Sequence, residues 1–262
     1  MIMADFIFIR KSRNIASSAL HVFLNILLGL GSVLVTIFSG SPLIGIILVI
    51  ASKWRVFAVR PRYILTNLKA SLVDLIVGVS IVLLTYYTGT SILPVDFILA
   101  GFYCIWLIFI KPLTSEKANL AQSLVAVFLG MSTATIASAS LNSILIVLIS
   151  FFIGYAAARH VLIQTSDHDF LLTTLTCGLI FSEIAWLCHS WTIIYTFGNT
   201  GIRIPQLAII LTIFAFVYNS ARQAIIKHQE DFKFKDIAAP VTFGIILITI
   251  IVIWFSNPIF NI

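Results

Sequence analysis

Residues 42–60 read PLIGIILVIASKWRVFAVR, and this segment decides how many times the chain is predicted to cross a membrane. Its apolar part, from Pro42 to Ala51, is only ten residues long before Lys53 and Arg55 appear. A helix needs roughly 20 residues to cross ~30 Å of hydrocarbon, at about 1.5 Å per residue. Length alone therefore leaves two interpretations, a short crossing over 42–59 or a re-entrant half-helix.

Longer apolar runs dominate the rest of the chain. Eight of them are long enough to be predicted as transmembrane helices, at 15–38, 70–88, 92–110, 118–137, 141–158, 170–189, 204–219 and 237–255. Of the 262 residues, 60% are hydrophobic and 10% are charged, whereas a soluble domain is about 45–50% apolar and about 25% charged. The predicted fold class is therefore all-α, a polytopic membrane helix bundle that forms one integral membrane domain over residues 1–262.

The distribution of basic residues favours a crossing over 42–59. With nine crossings, all 16 Lys and Arg residues except Arg203 fall on one side of the membrane, as the positive-inside rule requires. The connections on the other side are short, at 39–41, 89–91, 138–140 and 198–201. We therefore predict four short-turn hairpins followed by a C-terminal helix, with the N-terminus inside and the C-terminus outside.

Charge and cysteine content narrow the class of protein. The net charge is +6, but the basic residues flank apolar runs instead of forming a solvated face, so no nucleic-acid partner is predicted. Cys104, Cys177 and Cys188 lie within apolar runs and are expected to be reduced packing residues.

The run 15–38 exceeds the roughly 7–15 residues of a signal-peptide core, so we expect an uncleaved helix, with cleavage near Ser39 as the alternative. The expected location is the cytoplasmic (plasma) membrane, and no metal or cofactor is predicted.

Glu183 is the most unusual ionisable residue of the apolar runs. It lies thirteen residues past Phe170, about 20 Å into the helix predicted over 170–189. A charge near the centre of a membrane costs about 2.5 kcal/mol or more, so such residues are rare outside functional sites. Glu183 is therefore a candidate for proton or cation uptake. The alternative is a protonated acid that bonds a neighbouring helix.

Two further pairs of polar residues are candidates for an ion or proton pathway. Asp74 and His21 lie at similar depths, about 7 and 9 Å from the inner ends of their helices, and His21 shares a helix face with Asn25. Asp96 lies about 7 Å from the outer side, where Arg203 is the only basic residue expected. The alternatives are interhelical hydrogen bonding for the first pair and anchoring at the interface for the second.

Two other patterns concern packing and lipids. Small residues recur every four positions along the helix predicted over 118–137, a spacing that lets another helix approach closely. They are Ala126, Gly130, Ala134 and Ser138. Between residues 53 and 69, basic and aromatic residues mix beside the membrane, which is typical of a surface that binds lipid headgroups, although signalling of topology is the simpler cause. The headgroup candidates are Lys53, Arg55, Arg60 and Arg62.

Three functions follow as hypotheses. The first is a small proton-coupled transporter or permease in which Glu183 accepts the proton, because carboxylates on different helices are what a proton relay needs. The second is a non-catalytic subunit or scaffold that packs with lipids, with other membrane proteins or with a second copy of the chain. The third is a membrane enzyme acting on a lipid-linked substrate, which would require Arg159 to cluster with Asp167–Asp169. No hydrolytic or nucleotide-binding motif is present, so an enzyme is disfavoured and no catalytic residue is predicted.

Overall fold

The computed structural model describes residues 2–58, 60–89, 91–138, 142–163, 170–189, 193–227 and 234–254, and most of them are helical. The helices are α1 (Ile2–Ser39), α2 (Pro42–Ala51), α3 (Trp54–Phe57), α4 (Pro61–Ala70), α5 (Leu72–Thr88), α6 (Pro94–Ile105), α7 (Glu116–Ala137), α8 (Ser143–Leu162), α9 (Phe170–His189), α10 (Gln206–Lys227) and α11 (Phe234–Trp254). A π-helical turn (Trp106–Ile110) continues α6, and two short antiparallel strands, β1 (Ile194–Thr196) and β2 (Arg203–Pro205), join α9 to α10.

Helix α2 packs between α1 and α5 and runs antiparallel to both. Two glycines make the close approach possible. A methyl group at Gly45 would collide with Thr36 of α1, and one at Gly78 of α5 would lie 2.7 Å from Val49 of α2. Ser41 caps α2 and Pro42 occupies its first turn, where a missing N–H costs least. The short helix is therefore held along most of the length of α5.

Helix α7 lies at the centre of the molecule, in contact with α5, α8 and α10. From Asn119 onward, buried side chains lie on all sides of the helix, since most of them are apolar or small. Ala126 and Leu129 join a core shared with α1, α2, α5 and α6, whereas Val127 and Met131 join a second core shared with α8, α9 and α10. α7 thus connects two groups of helices.

The second group is built from antiparallel neighbours. Helices α8 and α9 approach closely at two glycines, since methyl groups at Gly154 and Gly178 would lie 2.6 Å from Phe181 and 2.9 Å from Phe151. Helix α11 packs on α10, where the Gln206 side chain donates a hydrogen bond of 2.9 Å to the carbonyl of Ile251.

These pairings give the bundle two different ends. At one, which we call the hairpin end, lie Gly40, Gly89, the C-terminus of α7 and the β1–β2 hairpin, because Gly40 and Gly89 line one cavity and Gly201 lies against Leu93 and Val95. At the other, the basic end, Lys53 meets Lys111 at a shared carboxylate. Arg203 lies in β2 and is therefore at the hairpin end.

The described chain is mostly helical, as predicted. Five described helices are long and apolar enough to cross a membrane, or up to six if α4 and α5, which are bent by 62°, count as one broken span. Three shorter apolar helices lie at Pro42–Ala51, Pro94–Ile110 and Ile237–Ile253. The all-α class is confirmed, and the described apolar helices indicate a membrane protein.

The structure differs from the sequence-based expectation in three places. The segment 42–59 is interrupted at Ser52–Lys53, so that it forms α2 and the single turn of α3. The predicted loop between residues 60 and 69 is the amphipathic helix α4, which begins at Pro61. The turn predicted over 198–201 is the tip of the β1–β2 hairpin, where Gly198 and Gly201 supply positive φ angles that other residues rarely adopt.

Candidate functional site

The most concentrated chemistry of the described chain is a cluster of charges around Asp74, at the basic end. One carboxylate oxygen of Asp74 binds the ammonium groups of both Lys53 and Lys111, the latter at 2.7 Å. The other oxygen accepts a hydrogen bond of 3.0 Å from the indole N–H of Trp106. These are the two ion pairs in the described residues, so Asp74 is the centre of the ionic chemistry that the structure shows.

The members of this cluster differ in their access to the surroundings. The side chains of Lys53 and Asp74 are 6% and 12% exposed, whereas that of Lys111 is 42% exposed. Removing charges from water is expensive unless they are paired and hydrogen-bonded, which the contacts around Asp74 provide. Lys111 thus connects a buried ion pair to the outside of the bundle.

Lys53 reaches Asp74 because of the antiparallel register of α2 and α5. Gly45 lies next to Val82 and Val49 next to Gly78, and the same register continues to Lys53 beside Asp74. Helix α2 ends at Ala51, and Lys53 lies in the break between α2 and α3. Close glycine packing therefore places a lysine inside the protein.

Trp106 and Lys111 reach the same carboxylate because the end of α6 is π-helical. In an α-helix, residues five apart point about 140° away from each other, given 3.6 residues per turn. In a π-helical turn, the backbone N–H of residue i+5 bonds the carbonyl of residue i, as Lys111 does with Trp106. Both side chains then share one face, and π-helical turns of this kind are frequent at functional sites.

Unsatisfied hydroxyls lie on the helices that carry the cluster. Tyr103 is fully buried and packs its hydroxyl 2.6 Å from the position that a methyl group on Gly78 would occupy. The hydroxyls of Tyr103 and Thr85 have no hydrogen-bond partner within the described part of the chain. Since buried polar groups are nearly always bonded, these hydroxyls have capacity for a proton, a water molecule or a solute.

A second polar network at the basic end connects α7 to the end of the π-helical turn and to α8. The Gln122 amide donates hydrogen bonds to the carbonyls of Ile110 and Leu113, at 2.6 and 3.0 Å. Its amide oxygen lies 2.7 Å from Nε2 of His160, which therefore acts as the donor. Gln122 thus satisfies carbonyls that the end of the π-helical turn leaves open, and it ties α8 to that turn.

At the hairpin end the structure contains an apolar cavity of about 430 Å³. It lies where α6 diverges from α7 and α10, under the β1–β2 hairpin. Its lining consists of Leu84, Tyr87, Thr88, Val95, Ile98, Leu99, Phe102, Leu124, Val125, Phe128, Leu129, Ser132, Ile136, Gly201, Ile202, Arg203, Ile204 and Thr212. Ligand sites are typically about 300–1,000 Å³ and mostly apolar with a few polar groups, which describes this cavity.

Glu183 lies elsewhere, away from both the Asp74 cluster and the cavity. Its side chain is exposed on the outer face of α9, on the same side as Leu179 and Leu187, whereas Ser182 and Ala185 face the core. It lines none of the described cavities. The helix begins at Phe170, as predicted, but the position of a residue along a helix does not show which face of the helix its side chain occupies.

The proposed pairs of polar residues do not form. His21 is exposed, and its Nδ1 atom lies 3.2 Å from the amide nitrogen of Asn25 on the same helix. Asp74 binds two lysines instead of His21. Asp96 is buried and caps α6, accepting hydrogen bonds from the Leu93 N–H and the Thr88 hydroxyl.

Arg203 is exposed and forms no ion pair with Asp96 or any other described residue. Local capping satisfies Asp96 more directly than a distant guanidinium could.

The small-residue ladder of α7 packs inside this chain. Ala126, Gly130 and Ala134 are buried and Ser138 is partly buried, and a methyl group at Gly130 would lie 3.0 Å from both Ile153 and Ile76. Its close neighbours are therefore α8 and α5.

Of the headgroup candidates, Lys53 is buried in the ion cluster and is not available to lipids. Arg60 and Arg62 are exposed, and the Arg62 guanidinium lies 4.7 Å from the Tyr63 ring. The side chain of Arg55 lies outside the described residues, as do Asp167–Asp169.

Sequence reasoning missed the roles of Lys53, Trp106, Lys111, Gln122 and His160. A count from the hairpin turns could have found two of them, at the depth of Asp74. Lys53 follows Ser41 by twelve residues, Asp74 precedes Thr88 by fourteen, and Trp106 follows Pro94 by twelve, so that they lie at nearly equal depths of about 18–21 Å. The π-helical turn that adds Lys111 has no comparable signal.

Comparison with protein-family models, with curated proteins and with solved structures found no match. Within the described ranges, no group of three His, Cys, Asp or Glu side chains could hold a metal ion. The function proposed below therefore rests on the geometry of the Asp74 cluster and of the cavity.

Proposed function

We propose that this chain is a nine-span protein of the cytoplasmic membrane that works as a small proton-coupled permease, with Asp74 as its proton-exchanging group. The observation that carries the proposal is the position of Asp74, which lies inside the bundle between two lysines of unequal exposure. Ionisable groups within membrane helices are costly and mark ion or proton pathways by default. Asp74 takes the role that the sequence first suggested for Glu183.

Polar groups on two sides of Asp74 extend the proposed proton pathway toward the two ends of the bundle. Toward the basic end, the half-exposed Lys111 connects the carboxylate to the outside. Toward the hairpin end, Tyr103 and Thr85 offer hydroxyls with unused hydrogen-bonding capacity. Two ammonium groups face one carboxylate, so the gain or loss of one proton changes which contacts the cluster can keep. Such a change is what couples proton uptake to a shift between two helix arrangements.

The proposed topology has its own support. The five helices that are long and apolar enough to cross a membrane, together with α5 and the three shorter apolar helices, equal the predicted crossings in number, which supports the proposal of nine spans. The antiparallel run of α2 beside α5 carries the chain from the hairpin end to Lys53, which supports a crossing over 42–59. The basic end is then cytoplasmic, because Lys and Arg accumulate on the inner side.

Proton flux into vesicles tests the proposal. The protein is reconstituted into liposomes loaded with a pH-sensitive dye, and a potassium diffusion potential is applied. Asp74→Asn should abolish protein-dependent flux, whereas Glu116→Gln, which removes an exposed carboxylate from the start of α7, should leave it unchanged. Equal flux through both variants in folded protein would contradict the proposal.

A second candidate function is supported by the outer face of α9. Glu183 is exposed there beside Leu179, Trp186 and Leu187, and a carboxyl group facing hydrocarbon is costly. A non-catalytic role as a packing subunit would place a polar group of another membrane helix against it. Disulfide trapping of a Leu179→Cys variant tests this role, which predicts a cross-linked species that Glu183→Leu weakens. The role fails if only monomer is trapped in native membranes.

A further inference from the structure

The cavity at the hairpin end has features of a lipid site that the proposed permease function does not require. It lies between α6 on one side and α7 with α10 on the other. Helix α6 packs against α1 and α5, while α7 packs against α5 and α10. The space between α6 and α7 is therefore a lateral fissure in the bundle. Ile98 and Arg203, which line it, are both exposed, so the fissure opens to the exterior.

The base of the fissure suits a hydrocarbon chain. Leu99, Phe102, Leu124 and Phe128 provide aliphatic and aromatic walls without a charged group. Apolar walls of this kind gain dispersion contacts when an apolar group lies against them. In a membrane, the apolar group available at such an opening is an acyl chain.

One polar group inside the cavity is left without a partner. Ser132 is 3% exposed and lines the cavity, and its hydroxyl has no hydrogen-bond partner among the described residues. Its neighbours Thr133 and Thr135 donate to the carbonyls four residues earlier, at 2.9 and 2.7 Å. Ser132 does not make the equivalent bond. A buried hydroxyl of this kind is costly to leave unsatisfied, which indicates an acceptor supplied by a ligand.

Arg203 supplies a charge at the mouth. It is the cavity's one charged lining residue, and within the described chain it has no ion pair. Guanidinium groups bind phosphate through paired N–H donors. Ser132 lies five residues before the end of α7, hence about 7 Å below the level of that end. The cavity therefore presents an anion site, a hydrogen-bond donor below it and an apolar base, in that order.

We propose that this cavity binds one glycerophospholipid from the leaflet at the hairpin end. The lipid phosphate lies on Arg203, an ester carbonyl accepts a hydrogen bond from Ser132, and one acyl chain fills the space between Phe102 and Phe128. The order of these three groups along a glycerophospholipid is the order of their partners in the cavity. A free fatty acid would offer only the charge and the chain, because its carboxylate is its one acceptor group.

Native mass spectrometry of the full chain in detergent tests the site directly, without any measurement of flux. The probe is dioleoylphosphatidylglycerol, with dioleoylglycerol and oleic acid as comparisons that lack the phosphate or the ester. We expect one tightly retained phospholipid per chain. Arg203→Gln should weaken its binding about tenfold, and Ser132→Ala about three- to tenfold, the range for one lost hydrogen bond.

Two further variants make the result decisive. Val125→Phe places a ring in the cavity and should remove the retained lipid, whereas Lys117→Gln, which removes an exposed cation from the start of α7, should leave it in place. Dioleoylglycerol should bind more weakly than the phospholipid and should be insensitive to Arg203→Gln. The proposal is overturned if Val125→Phe and Arg203→Gln leave phospholipid retention unchanged, if Lys117→Gln abolishes it, or if oleic acid binds as tightly as the phospholipid.

Discussion

Trp106 and Lys111 lie five residues apart in the sequence, yet both hold the carboxylate of Asp74. The π-helical turn between them makes this possible, because it returns residue i+5 to the face of residue i. In a regular α-helix one of the two side chains would point toward lipid or another helix. The composition of the ion cluster therefore depends on the backbone of a single turn.

The hydrogen bond from the Trp106 indole to Asp74 should contribute to stability beyond the burial of the ring. Trp106→Phe keeps most of the ring but leaves one oxygen of a buried carboxylate without a donor. A hydrogen bond to a charged group is worth about 1.5–3 kcal/mol, and we expect a loss of that size in detergent unfolding titrations. Trp54→Phe is the matched control, since Trp54 is 62% exposed, and it should change stability by less than about 0.5 kcal/mol. Equal losses in both variants would argue against the hydrogen bond.

The three charges of the cluster should contribute unequally. Asp74→Asn leaves the buried ammonium of Lys53 without its counter-ion, and breaking a buried pair in this way costs about 3–5 kcal/mol. Lys111→Met should cost less, because Lys111 is 42% exposed and Asp74 keeps Lys53. Replacing all three residues together, as Lys53→Met, Asp74→Leu and Lys111→Met, should recover most of the lost stability. Unfolding titrations of the single and triple variants check this order.

Gly78 should be intolerant of even one methyl group. In Gly78→Ala the new methyl would lie 2.6 Å from the Tyr103 hydroxyl and 2.7 Å from Val49, and such overpacking costs about 1–3 kcal/mol. Gly101→Ala is the control, because nothing lies within 4 Å of the added methyl group there. Alanine also favours a helix over glycine by about 1 kcal/mol, so Gly101→Ala should be neutral or stabilising. A tolerated Gly78→Ala would contradict the close packing of α2, α5 and α6.

The orientation of the chain can be tested by labelling single cysteines. In a background without Cys104, Cys177 and Cys188, a cysteine replacing Arg60 should react with a membrane-impermeant maleimide only after the cells are opened. A cysteine replacing Arg203 should react in intact cells. Labelling of the Arg60→Cys variant from outside would leave 42–59 as a re-entrant segment and would reverse the orientation of α4 and α5.

Much of the fold was accessible from the sequence because the membrane imposes one simple rule on it. Long apolar runs must be helical to satisfy their backbone groups, and the predicted segment 170–189 coincides with α9. The break at Ser52–Lys53 was not predictable in this way. It accompanies the ion pair between Lys53 and Asp74, which lies on another helix. The π-helical turn is equally a product of tertiary contacts, among them the bonds from Gln122.

The candidate site was less accessible than the fold. Sequence reasoning selected Asp74 as unusual but paired it with His21, and it placed Lys53 at the membrane surface. Glu183 illustrates the same difficulty, because α9 is apolar nearly all round and its sequence does not show which side faces the protein. Depth along a helix follows from counting residues, whereas the facing of a side chain follows from packing. For Lys53 and Asp74, the missing information was the close packing at Gly45 and Gly78, which sets the register of α2 and α5.

The proposed permease requires Asp74 to exchange protons in addition to holding α2, α5 and α6 together. The most direct test is dye-reported proton flux into liposomes containing the triple variant Lys53→Met, Asp74→Leu and Lys111→Met, whose folding is verified first by its unfolding titration. A folded triple variant without protein-dependent flux, beside active wild-type and Glu116→Gln proteins, is the predicted result. Wild-type flux through the folded triple variant would show that the cluster serves structure alone.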